Sequence, residues 1–310
     1  MKPRNDDGQE SSLRLRLGPL RYLFIPHDAW GRKTISHLAR NVDARSFTGV
    51  PDRVFHLLDC LSVRDRAMAV GAGHLPSQYA AVISGKIPGR GWKHVEDGAG
   101  GIVCWHHRSR HVLWEHWIPE VEPAPLFWLP WPIMAQDMMR CGGGLLHGGL
   151  AVLNGRAYVF TAPPGGGKTT ALSRMPEPWR VLTDDAALVW RVAGGRFMAS
   201  PLPAWGALRR NEQTLAGIGK WKVSEAAEIA GVFLLKKRPK EKLVPLQPIE
   251  AASPLCRAFS EHPGVFESRG PFRRRLFHFA CAMVMQVPTW RLELSRRGDF
   301  WRLLEGMCNG

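Results

Sequence analysis

The stretch LLHGGLAVLNGRAYVFTAPPGGGKTTALSRM, residues 145–175, decides how this chain is read. Its centre is Ala162-Pro163-Pro164-Gly165-Gly166-Gly167-Lys168-Thr169. This is the phosphate-binding loop pattern of Gly, four residues, Gly-Lys-Ser/Thr, with Ala162 in place of the opening glycine. Such a loop works because consecutive backbone N–H groups turn inward ahead of a helix and cradle phosphate oxygens. Gly165, Gly166 and Gly167 supply positive φ and close backbone approach. Lys168 has the reach to touch β- and γ-phosphates, the Thr169 hydroxyl suits Mg²⁺, and Thr170 follows in the first helical turn. Alanine is tolerable at 162 if that position needs only a small side chain. Pro163 and Pro164 stiffen the loop's entry but give it no N–H donor.

The flanks provide the context this motif needs. Apolar runs at 145–153 and 157–161 around Asn154-Gly155 predict a β-hairpin whose second strand feeds the loop. Residues 169–174 predict a short helix that Pro176 ends, and 180–183 predict a strand delivering Asp184 and Asp185. Behind a phosphate loop, two adjacent carboxylates at a strand end suit two roles. Asp184 accepts the proton of an attacking hydroxyl, and Asp185 shares Mg²⁺ with Thr169. His147, on the first hairpin strand, is placed where an imidazole would orient a phosphate or an acceptor, although a lone histidine is as readily a satisfied hairpin residue. Hairpin strands at 186–192 and 196–199, later strands at 231–235, 242–246 and 290–294, and helices at 249–259 and 272–286 complete a mixed α/β domain.

Upstream the grain differs. Residues 1–12 read as a disordered lead and 13–120 as a smaller β-rich domain with no nameable role. Within it, 12–17 alternate like a strand, and 100–117 read as a hairpin turning at Arg108-Ser109-Arg110. His106, His107, His111 and His116 fall on the two faces of that hairpin, a pattern of exposed faces rather than of a metal site. Residues 121–143 hold a proline-rich crossover and a short helix at 133–140 that stops at glycines 142–144. The domain of the phosphate loop then occupies 144–310.

Composition limits the function classes. No apolar run approaches the roughly 18–20 residues that span a bilayer. The N-terminus lacks the apolar core of a signal peptide. Six separated cysteines without a Cys-x-x-Cys pair fit reduced thiols and a cytoplasmic protein. A formal charge of +15 attracts nucleotides, nucleic acid or an acidic partner. Its clusters, KKRPKEK at 236–242 and RRR at 273–275, read as solvated turn and helix-end charges. The thirteen tryptophans accompany no RNA-binding motif, so nucleic-acid binding ranks behind the phosphate-loop reading.

The histidine strand, hairpin, phosphate loop, helix and Asp-Asp strand together resemble the catalytic domain of the HPr kinase/phosphorylase family. Within it the chain resembles divergent members encoded in peptide-modification cassettes of the SynChlorMet type, an impression shared by SPLPAWG (200–206) and MVMQVPTWRLELSRRGDFW (283–301). The resemblance implies an HPr-kinase-like fold and an ATP- and Mg²⁺-dependent kinase. Its acceptor would be a serine or threonine hydroxyl of a peptide or protein, in such a cassette a ribosomally made precursor peptide, with room for an oligomer. It assigns Gly165, Gly167, Lys168 and Thr169 to the nucleotide, Asp184 to the general base, Asp185 to its neighbour, and His147 to the active-site histidine. The family's later Glu and Arg-Gly stretch has no aligned counterpart. Arg209, Arg210 and Glu212 lie nearby without matching it, so phosphorolysis and HPr itself as substrate do not carry over. The rival class is a nucleotide-binding partner or regulator without transfer activity. A small-molecule kinase or a simple ATPase would also use this loop.

Overall fold

The structure is a computed structural model that describes residues 12–43, 46–59, 91–97, 101–116, 130–202, 222–261 and 270–308. The chain divides between Ile133 and Met134 into two compact units, each described by itself. Most of the proline-rich crossover lies outside the described residues, as do Arg209, Arg210 and Glu212.

Among the described residues before 130, the first unit is a six-stranded sheet with one helix. Its strands are β1 (Leu13–Leu17), β2 (Leu20–Pro26), β3 (Arg53–Asp59), β4 (Lys93–Asp97), β5 (Gly101–Trp105) and β6 (His111–His116), in the order β1-β2-β3-β6-β5-β4. Helix α1 (Ala29–Asn41) joins the parallel strands β2 and β3. Asp28 caps it, its Oδ1 accepting the Gly31 N–H at 2.8 Å. A side chain at Gly31 would come within 2.7 Å of the Leu57 carbonyl oxygen, so glycine is what lets the helix lie on the sheet.

The expected hairpin is β5–β6, but its histidines do not share exposed faces. His106 and His116 are buried, and His116 stacks on Trp30 with ring centroids 5.1 Å apart. The reason is tertiary: β6 is an inner strand, paired with β3 as well as β5. Pairing with β3 also brings His111 to His56, whose Nε2 lies 3.0 Å from His111 Nδ1, while His56 Nδ1 lies 2.9 Å from His27 Nε2. Burial first, then the neighbouring His111 and His27, push His56 down to about 3. Each of these contacts is pairwise. Among the described residues no group of three or more His, Cys, Asp or Glu is arranged to hold a metal ion.

The second unit begins within helix α2 (Trp131–Arg140). Only Gly142, with φ 68°, belongs to the stop that glycines 142–144 were expected to make. Gly143 and Gly144 instead open strand β7 (Gly143–His147), where side chains would come within 2.5 Å of the Val189 carbonyl oxygen and 2.9 Å of the Phe259 ring. The single strand expected over 145–153 is likewise two, β7 and β8 (Gly149–Leu153), broken at Gly148. Strands β10 (Arg180–Thr183) and β11 (Ala186–Arg191) break in the same way at Asp184-Asp185. The two bent strands run antiparallel, with His147 opposite Ala186 and Leu150 opposite Thr183. At the bend the Gly148 N–H donates to the Asp185 carbonyl at 2.9 Å.

The remaining pairings close this ladder on itself. β8 turns through Asn154 (φ 51°) and Gly155 (φ 74°) into β9 (Arg156–Thr161), the hairpin the Asn-Gly dipeptide predicts. β9 is parallel to β13 (Ala227–Lys237), β13 pairs with β12 (Phe197–Pro201), and β12 returns to β11. β15 (Thr289–Leu294) lies parallel on β13, with β14 (Lys242–Pro245) on its outer edge. One side of the sheet packs Leu150, Val159 and Val232 against Leu255, Phe259 and Met283 of helices α4 (Pro248–Ser260) and α5 (Pro271–Gln286). The other packs Ala151, Phe160 and Phe233 against Leu172 and Leu304 of α3 (Lys168–Leu172) and α6 (Trp301–Cys308). Successive residues serve opposite cores, which is why these strands read as unbroken apolar runs. The fold is mixed α/β. No helix among the described residues is long and apolar enough to cross a membrane.

Candidate functional site

The parallel strand β9 ends at Thr161 and opens into the loop, which passes into α3. Gly165 and Gly167 take φ of 71° and 100°, conformations that L side chains rarely adopt. Gly166 is needed for space: a Cβ there would stand 2.5 Å from the Ala162 Cβ and 2.8 Å from the Pro163 carbonyl oxygen. Ala162 has a negative φ and a buried methyl group within the core beneath the loop. The missing first glycine is therefore a core-packing choice. What the site uses at 162 is the backbone, because the Lys168 Nζ donates to the Ala162 carbonyl at 2.9 Å.

Lys168 is buried, and burial pushes its ammonium below the usual lysine value. The carboxylates of Asp185, Glu261 and Asp184, in that order, pull the other way. Asp184 is itself buried at 6% exposure, whereas Asp185 is half-exposed. Both occupy the bend between β10 and β11, with Gly148 facing them from the bend between β7 and β8. His147, the last residue of β7, is held from both sides. Its Nε2 lies 3.3 Å from Asp185 Oδ1 and its Nδ1 2.9 Å from Glu261 Oε2. The Thr161 hydroxyl donates to the His147 carbonyl at 3.0 Å, which joins the end of the loop strand to the same bend.

These groups line one cleft of about 320 Å³, formed by His147, loop residues 164–170, Asp184, Asp185 and Lys237. The structure thus gathers every residue the sequence singles out: Gly165, Gly166, Gly167, Lys168, Thr169, Thr170, His147, Asp184 and Asp185. Both ring nitrogens of His147 face carboxylates, those of Asp185 and Glu261. Two further residues join them. Glu261 follows α4, 114 positions from His147, with no local signal to mark it. Lys237 belongs to the basic run read as solvated turn charge. It is solvent-exposed, yet a Cβ on Gly167 would lie 3.4 Å from its Cε. Its signal was available, since it ends a strand parallel to the loop strand.

The family model described as SynChlorMet cassette protein ScmC matches residues 126–309, more than half of the chain. The chain belongs to this family. The match takes in the loop, both bends, Glu261 and the basic turn after β13, so the whole cleft lies within the family's span. Most of the first unit, including the three linked histidines, lies outside it. The comparison with curated proteins gives no match.

Proposed function

We propose that this protein is an ATP-dependent phosphotransferase that moves the γ-phosphoryl group to a serine or threonine hydroxyl of a peptide or protein. One observation carries the reading: a phosphate loop with a buried lysine shares a cleft with a buried carboxylate, Asp184, and with a second carboxylate fixed by His147. A site for structure alone would have no use for an uncoiled glycine loop beside two carboxylates. The HPr kinase-like order of elements supports the same reading, and the family's cassette setting favours a peptide acceptor made by the same gene cluster.

The residues fit Mg·ATP. Gly165 and Gly167 hold the backbone in the conformations that turn N–H groups toward an anion. Thr169 and Asp185 offer hard oxygen donors, and Mg²⁺ takes few protein ligands, completing its shell with water and phosphate oxygens. When bound, Mg·ATP supplies the phosphoryl group and part of the charge compensation. Lys168 supplies the fixed positive charge. Asp184, kept from water, accepts the hydroxyl proton of the acceptor. Glu261 and His147 act in series to keep Asp185 turned into the cleft. The site works chiefly by position and electrostatics, as phosphoryl transfer requires.

The test is incorporation of γ-phosphate from Mg·ATP into cassette-encoded peptides, read by mass spectrometry beside nucleotide affinity. Lys168→Ala should lose both binding and transfer. Asp184→Asn should keep binding while transfer falls by about 10²–10⁴-fold. Transfer retained in both variants would refute the assignment. Nucleotide binding with no phosphorylated acceptor would make the protein a binding partner instead.

A further inference from the structure

A second cleft opens from the same loop. It has about three times the volume of the first, about 990 against 320 Å³, and it shares Gly166, Gly167, Thr170 and Lys237 with it. Its outer wall is basic: Lys237 ends β13 and Arg238 follows it, and Arg296 and Arg297 follow β15. These four side chains are exposed, and among the described residues none of them forms an ion pair. Several exposed arginines elsewhere in the unit are paired, Arg180 with Glu225 and both Arg156 and Arg196 with Glu228, while Arg191, Arg257 and Arg273–Arg275 have no ion pair among the described residues. The wall differs in that its four charges line one cleft that opens from the loop.

The wall is also built to hold its shape. The Arg174 guanidinium donates to the Ser295 carbonyl at 3.1 Å and to the Gly298 carbonyl, and it stacks 5.5 Å from the Phe300 centroid. The Ser295 hydroxyl donates to Glu241 at 3.2 Å and accepts the Gly298 N–H at 2.8 Å. Arg174 is therefore occupied in fixing the turn that presents Arg296 and Arg297. A turn whose backbone is already held needs little further ordering when an anion arrives, and cations in a cleft focus its approach.

We propose that this cleft docks the acidic flank of the acceptor, an Asp/Glu-rich peptide segment whose carboxylates pair with Lys237, Arg238, Arg296 and Arg297 while its hydroxyl-bearing residue reaches Asp184. The inference rests on the phosphotransferase reading. Charge and wall chemistry select this occupant. A nucleoside is neutral and prefers a flat apolar or aromatic wall, and a single strand of nucleic acid draws its base contacts from aromatic stacking platforms. Among the described residues the apolar lining here is Ala171, Pro239 and Leu294, with no aromatic residue. An acidic peptide meets four cations with carboxylates, and the shared loop residues lead it to the site of transfer.

The experiment uses the full chain and a fluorescein-labelled peptide, Gly-Ser followed by six glutamates, beside its six-glutamine counterpart, read by anisotropy at low and high salt. The glutamate peptide should bind, weaken with salt and outcompete the glutamine peptide. Arg296→Ala with Arg297→Ala should lower its affinity about 5- to 30-fold. Arg296→Glu with Arg297→Glu should shift preference toward a six-lysine peptide, a gain that only folded protein can show. Equal binding of both peptides by the wild type, or no reversal in the Glu variant, would overturn the proposal. So would a twelve-residue thymidine oligonucleotide that binds more tightly than the glutamate peptide and is lost in the same variant. If the Ala variant loses ATP affinity but keeps tripolyphosphate affinity, the cleft belongs to the nucleoside. Lys168→Ala should bind the peptide as the wild type does. A wild type that binds the peptide but transfers no phosphate would sink the phosphotransferase reading and leave the docking site standing.

Discussion

Substituting Gly166 by alanine tests the account of the loop most directly. The new Cβ would stand 2.5 Å from the Ala162 Cβ and 2.8 Å from the Pro163 carbonyl oxygen, where ordinary contact begins at 3.4 Å. Relief requires a loop shift of roughly 1 Å, because Ala162 is held in the core and cannot retreat. Overpacking of this kind costs about 1–3 kcal/mol. The same displacement moves the Gly166 and Gly167 N–H groups, and misplacement by about 1 Å costs on the order of a hundredfold in a site that works by position. Gly166→Ala should therefore lower the melting temperature and weaken Mg·ATP binding together, read by calorimetry. Adding Ala162→Gly removes the tighter contact and leaves the one to Pro163, so both losses should be recovered in part. A Gly166→Ala protein with unchanged melting temperature and ATP affinity would refute the packing account. A lack of any recovery in the double variant would show that Ala162 is not the obstructing group.

Two other outcomes follow from the same structure. His56 has a folded value near 3 against 6.5 unfolded, so the unfolded chain binds the proton first and stability falls as pH drops below 6.5. At pH 5 the loss is about 2 kcal/mol relative to neutral pH. Thermal unfolding from pH 8 to 5 should show this dependence and His56→Gln should reduce it; identical slopes would remove His56 as the cause. Glu261→Gln keeps the size of the group that holds His147 Nδ1 but removes its charge. Transfer should fall roughly tenfold, as for a lost charge-assisted hydrogen bond, with ATP affinity little changed. Full activity in Glu261→Ala would show that His147 needs no such support.

The glycine loop between β9 and α3 was legible because its pattern is local. Glycines, lysine and threonine must be contiguous for the backbone to curl around an anion, so the pattern survives in one dimension. The Asn154-Gly155 hairpin and the strand ending in Asp184 and Asp185 were legible for the same reason. The break at Gly148 was not, because nothing in an apolar run tells where a strand must bend to stay paired with another that bends opposite it. The buried His116 of β6 was misplaced for a related reason: alternation tells which residues share a face, but only the packing of Trp30 from α1 shows that this histidine is covered.

The sequence by itself thus determined most elements of the second unit, the glycine loop between β9 and α3, and the two carboxylates that follow it. These depend on short-range backbone geometry and on spacing along the chain. Tertiary structure alone decided that Glu261 supports His147, that Ala162 serves the core rather than the ligand, and that the turns after β13 and β15 join the loop as one basic wall. Those relations form between residues tens to more than a hundred positions apart, brought together by parallel strands whose carboxyl ends meet at one edge of the sheet.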